Sequence, residues 1–82
     1  MLKYIPKAEQ ILLTREEIDE IYDGYWVAVD VEGVADDFFG GIPKILGDSF
    51  EEVDDAAITV NMREVKLQCA NKNRWEGTAC LN

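Results

Sequence analysis

From Thr14 onward the apolar residues recur with a helical period: Ile18, Ile21, Tyr22 and Tyr25 stand at i, i+3, i+4 and i+7, with Glu16, Glu20 and Asp23 on the opposite face. Thr14-Arg15-Glu16-Glu17 has the order of a capping box, in which a hydroxyl and a carboxylate each satisfy a backbone donor at the helix start. Leu13 and Ile18 occupy the two positions of a hydrophobic staple. The pattern predicts an amphipathic helix that stops at Asp23-Gly24. The period then drops to 2, because Val27, Val29 and Val31 alternate with Trp26, Ala28 and Asp30, which predicts a strand over residues 25–31 with Trp26 packed against the first helix. Residues 32–41 read as a loop containing Asp36-Asp37-Phe38-Phe39-Gly40-Gly41. Residues 42–46 are apolar enough for a second strand, which Pro43 confines to a sheet edge or a bulge because proline has no N–H to donate.

After a turn at Gly47-Asp48, a second capping box, Ser49-Phe50-Glu51-Glu52, opens another helix. Phe50, Val53 and Ala57 share one face of it, and Glu51, Asp54 and Asp55 point away. Beyond Ala57 two periods compete. Ile58, Met62, Val65 and Cys69 fit helical spacing, but residues 65–69 alternate as a strand and the β-branched run Ile58-Thr59-Val60 favours extension. Strands are the expectation here. The tail over residues 71–77 is loop-like with Trp75 as its one large aromatic, and residues 78–81 could add a final edge strand. Residues 1–13 carry no clear period and are left unassigned. Together these elements predict an α+β fold: a small single domain over residues 1–82, with two amphipathic helices packed on a short, mainly antiparallel sheet.

Two segments, L-T-R-E-E-I-D-E-I-Y-D-G-Y-W-V-A-V and G-I-P-K-I-L-G-D-S-F-E-E-V, resemble a family of small bacterial proteins of unknown function. That family is built around a helix, a D-G-x-W-V strand and a G-D-S turn that opens a second helix. The resemblance covers about half the chain and rests on Asp23, Gly24, Trp26, Val27, Gly47, Asp48, Ser49 and Glu52, leaving residues 56–82 outside it. It implies a small α+β fold with a short sheet, and no established activity or ligand.

Charge changes the picture more than composition does. The net charge is −9 over 82 residues, and fifteen of the seventeen acids fall within residues 9–55, where only Arg15 and Lys44 oppose them. That segment carries −13, and the flanks carry +2 each. Direct binding to nucleic acid or to an anionic membrane needs clustered Lys and Arg, so neither is expected. The natural complement is a basic protein surface. No apolar run approaches the roughly 20 residues of a membrane span and the N-terminus does not read as a signal peptide, so the expected compartment is the cytoplasm, with Cys69 and Cys80 as thiols.

The chain has no histidine, which removes the usual general base near neutral pH and any Ser-His-Asp or Cys-His arrangement. Carboxylates abound, but acid–base work needs one whose pKa is raised by an enclosing pocket, and a chain this short builds a thin core. Neither catalysis nor a cofactor is therefore expected. Asp30-Val31-Glu32 and Asp36-Asp37 could supply oxygen ligands, yet counting from Asp30 puts Ala35 and Gly41 where a calcium loop needs Gly and Glu, so no metal site is expected either.

Glu16–Glu20 and Asp19–Asp23 are like-charge pairs at i, i+4, each costing roughly 0.2–0.5 kcal/mol, a cost that a purely solubilising surface does not require. The expected function is non-enzymatic binding of a basic partner. Its sharpest form is a nucleic-acid mimic such as a phage-type inhibitor of a nuclease or CRISPR effector. Electrostatic contacts are expected from Glu16, Glu20, Asp23, Asp36, Asp37, Glu51, Asp54 and Asp55, with Phe39 and Trp75 as apolar anchors. The alternative is a small structural module that self-associates through an edge strand, as a homodimer, or through the apolar loop at Phe38-Phe39, its acidity serving solubility alone.

Overall fold

Adjacent residues of the central strand enter two different cores, and that alternation organises the molecule. A computed structural model describes residues 2–35 and 40–75. Its strands are β1 (Lys3–Tyr4), β2 (Trp26–Asp30), β3 (Ile42–Gly47) and β4 (Val65–Cys69), and its helices are α1 (Arg15–Ile21) and α2 (Phe50–Thr59). Short 3-10 turns occupy Lys7–Glu9 and Lys72–Trp75. The strands form one antiparallel sheet in the order β1-β3-β2-β4, so the α+β architecture read from the sequence is the one observed.

On one face of the sheet Val27, Val29 and Leu46 pack with Ile5, Leu13, Ile18 and Ala70, with Tyr22 and Val31 at the margin. On the other face Ala28 and Ile45 pack with Val53, Ala56 and Ala57, with Trp26 and Leu67 at the margin. Since successive strand side chains point to opposite faces, α1 and α2 cover opposite sides of the sheet. The connection from β3 through α2 to β4 passes over β2, which puts α2 on its face and leaves β4 on the far side of β2.

Local chemistry fixes both helix starts. Thr14 Oγ1 accepts the Glu17 N–H at 3.2 Å, and Glu17 Oε1 accepts the Thr14 N–H at 2.8 Å, completing the first capping box. At α2, Ser49 Oγ accepts the Glu52 N–H at 3.2 Å, but Glu52 Oε1 reaches one residue further back, to the Asp48 N–H at 3.0 Å, so the second box is replaced by a longer clamp. The helix ends in a Schellman motif: Asn61 N–H donates to Ile58 O and Met62 N–H to Ala57 O, both at 3.0 Å, with Asn61 in the left-handed region at φ 59°. Asparagine tolerates that conformation better than most residues.

Several expectations are corrected. Ile58 and Thr59 belong to α2 rather than to a strand; the Thr59 hydroxyl donates to Asp55 O at 2.9 Å, giving this β-branched residue a helical hydrogen bond. Residues 65–69 do form a strand. The stripe on α1 is narrower than its spacing suggests, since Ile21 is 59 % exposed and Tyr25 lies past the turn at Gly24, whose φ is 92°. Trp26 packs on the α2 side, its ring edge-on to the exposed Phe50 at 5.4 Å and 77°, rather than against α1. β3 is an interior strand of the sheet, and Pro43 is accommodated by a bulge in which Lys44 has no partner on β2. The N-terminal segment contributes β1 and, at Leu13, an isolated bridge to Gly41. The strand expected at residues 78–81 lies outside the described residues.

Candidate functional site

The α2 surface carries a regular series of acids because Glu51, Asp54, Asp55 and Ile58 fall at i, i+3, i+4 and i+7, on the side opposite the buried Val53, Ala56 and Ala57. Glu51 and Asp55 are exposed and Asp54 is half-buried. Ile58, 69 % exposed, ends the series with an apolar side chain in water. On the opposite side of the sheet α1 exposes Glu16 and Glu20, again with an exposed isoleucine, Ile21, beside them.

Six of the eight acids singled out in the sequence are among the described residues, and those six do not form one surface. Glu16 and Glu20 on α1 are separated by the sheet from Glu51, Asp54 and Asp55 on α2, and Asp23 follows just past the end of α1. Asp36, Asp37 and Phe39 lie outside the described residues. The backbone of Trp75 closes the Lys72–Trp75 turn, and its side chain lies outside the description.

Among the described residues the ion pairs lie elsewhere: Lys44 Nζ to Asp30 Oδ2 at 3.3 Å and Arg63 Nη1 to Glu32 Oε2 at 3.6 Å. Glu16, Glu20, Glu51, Asp54 and Asp55 stand on the helices without a cation beside them among those residues. Asp30, considered above as a calcium ligand, is engaged by Lys44 and by the Glu32 N–H at 2.9 Å. No cluster of three or more His, Cys, Asp or Glu able to hold a metal ion occurs among the described residues, and no described helix is long and apolar enough to cross a membrane.

Asp19 and Asp23 have a role that helical spacing did not reveal. Asp19 is fully buried, and its Oδ1 accepts the Asn71 N–H at 3.2 Å. Asp23 Oδ1 accepts the Lys72 N–H at 2.8 Å. The pair read as a like-charge penalty instead grips two consecutive amides at the start of a 3-10 turn, where backbone donors are otherwise unmet. Asp23 is thus a structural ligand of the C-terminal segment as well as an exposed carboxylate. Nothing local in the sequence signals this, because its partner lies 49 residues away.

Fold and surface together define a small α+β protein with two carboxylate-bearing helical faces. Comparison with protein-family models, with curated proteins and with solved structures finds no match.

Proposed function

We propose that this is a non-enzymatic binding protein that engages a basic protein surface through the acidic face of α2. The observation that carries this reading is the series Glu51, Asp54, Asp55 and Ile58, three carboxylates with no ion-pair partner among the described residues followed by an exposed isoleucine on one capped helix. Carboxylates in such an array attract Lys- and Arg-rich surfaces and speed encounter, and an apolar side chain at the end of the array adds contact area once the partner docks. A nuclease or CRISPR effector, whose nucleic-acid groove is basic, is the partner class that best matches this chemistry, which makes a phage-type inhibitor the specific form of the proposal. Glu16 and Glu20 on the opposite face provide a second, weaker contact or steer the approach.

The test is a pull-down from host lysate with the full chain, repeated with Glu51→Lys/Asp55→Lys and with Glu16→Lys/Glu20→Lys. The expected result is a basic partner lost in the first variant, reduced in the second, and released as salt rises to about 0.5 M. Capture that is indifferent to both variants and to salt would overturn the reading.

The second reading, self-association through an edge strand, is favoured by one observation: among the described residues β4 pairs with β2 alone, leaving its other side open. A concentration-independent dimer by size exclusion with light scattering, unaltered by reversing the acids, would support it.

A further inference from the structure

A cleft of about 410 Å³ opens on the α2 side of the sheet, between the N-terminal segment and the Schellman loop, and it is unrelated to the acidic helix faces. Its volume lies in the lower part of the range occupied by small-molecule sites, roughly 300–1,000 Å³. Its apolar lining includes the buried Ile45 together with Tyr4, Val60 and Met62. Four charged side chains of balanced sign line the same open cleft, the half-buried Asp30 and Lys44 and the more exposed Glu32 and Arg63.

Two features of the backbone create that arrangement. The bulge at Lys44 takes this residue out of register with β2 and turns its side chain toward Asp30, and bulges commonly re-aim a side chain in this way. The α2 cap then places Asn61, Met62 and Arg63 across from it. Both ion pairs are loose, at 3.3 and 3.6 Å, compared with about 2.7–2.9 Å for a strong charge-assisted hydrogen bond. Lys44 has three N–H donors and Arg63 five, so each retains donors beyond its present partner. On the acidic side Asp30 is occupied at both oxygens, by the Glu32 N–H and by Lys44, whereas Glu32 meets Arg63 through Oε2 alone.

We infer that the cleft binds a zwitterionic α-amino acid with an apolar side chain. The ligand carboxylate sits between Lys44 and Arg63, its ammonium meets Glu32, and its side chain lies on Ile45, Val60 and Met62. The alternatives fit less well. A polyanion such as a nucleoside triphosphate would enter against a molecule of net charge −9, and a polycation would meet the like charges of Lys44 and Arg63 in the cleft. A zwitterion has no net charge to be repelled and uses both signs at once.

The experiment is an amide-resolved NMR titration of the full chain with L-leucine and with L-phenylalanine. Saturable shifts are expected at Lys44, Asn61, Met62 and Arg63, with no change along α1. Lys44→Gln and Arg63→Gln should each weaken binding by about tenfold or more, and Lys44→Arg, which keeps the cation, should retain it. Glycine, isovalerate and N-acetyl-leucine amide should bind at least about tenfold more weakly, since the first lacks the side chain, the second the ammonium and the third both charges. Unchanged spectra away from the cleft would establish that the variants fold. The inference is overturned if neither amino acid gives saturable shifts at millimolar concentration, if the double Gln variant binds as the parent does, or if isovalerate binds as well as leucine. None of these substitutions touches Glu51 or Asp55, so failure here is distinct from failure of the partner-binding proposal.

Discussion

Asp23 accepts the backbone amide of Lys72 at 2.8 Å, and four residues earlier Asp19 accepts that of Asn71, so one carboxylate on α1 and one just past its end hold consecutive donors of the chain after β4. The contact draws α1 onto the last part of the described fold and explains why Asp19 rather than Ile21 faces inward. Removing Asp23 exposes one amide to water, whereas removing Asp19 also empties a buried site. Asp23→Ala should therefore cost about 1 kcal/mol and Asp19→Ala about 2 kcal/mol or more. Urea midpoints would measure both, and hydrogen exchange at the Lys72 amide should quicken in Asp23→Ala ahead of global unfolding. Equal protection in parent and variant would refute the clamp.

Gly47 ends β3 directly beneath α2, where an added Cβ would lie 2.6 Å from Val53 Cγ2 and 2.9 Å from Glu52 Oε1. Val53 is fully buried and Glu52 is fixed to the Asp48 amide, so neither neighbour yields freely. Gly47→Ala should destabilise the protein by about 1–3 kcal/mol, by displacing α2 from the sheet. Chemical denaturation checks this, and a companion Gly33→Ala variant separates close approach from backbone freedom: Gly33 has φ 77° and open space around it, so its cost comes from conformation alone.

What was legible in the sequence was local. The Thr14 and Ser49 caps and the alternation of Val27, Ala28 and Val29 depend on residues within a few positions of one another, and each gives its element directly. The partition of the acids between two faces was not legible, because it follows from α2 crossing to the side opposite α1, a property of strand order rather than of either helix. Pro43 correctly signals a bulge but not an interior strand; β1 is so short that its ladder covers only Ile45 and Leu46, and Pro43 lies beyond it. The cleft escaped the sequence for the same reason: Tyr4, Lys44 and Arg63 meet only once the N-terminal segment has paired with β3 and α2 has been capped.

Gln68 is 8 % exposed, and its Nε2 finds no acceptor among the described residues. It stands opposite Val27, on the apolar face that α1 covers. A buried unsatisfied donor costs about 1–3 kcal/mol, and methionine supplies an unbranched side chain of similar length without the amide. Gln68→Met should accordingly raise stability by about 1 kcal/mol, seen as a higher denaturant midpoint at unchanged slope. A fall in the midpoint would mean that the amide has a role in the fold.

Tyr22 supplies a pH dependence whose sign follows from its surroundings. Burial, chiefly, and the nearby Glu9 carboxylate raise its phenol above the ordinary value of 10.0, because both disfavour the phenolate. A raised folded-state pKa means that the neutral form contributes stability that is fully present below pH 10.0 and is lost as pH rises through the folded value, since the unfolded chain releases the proton first. Tyr22→Phe removes the titrating group and keeps the ring against the core. The parent should therefore lose more stability than the variant as pH rises above 10.0, a difference readable from paired urea titrations, with Glu9→Gln falling between the two. Parallel losses in parent and Tyr22→Phe would show that alkaline unfolding is driven from elsewhere.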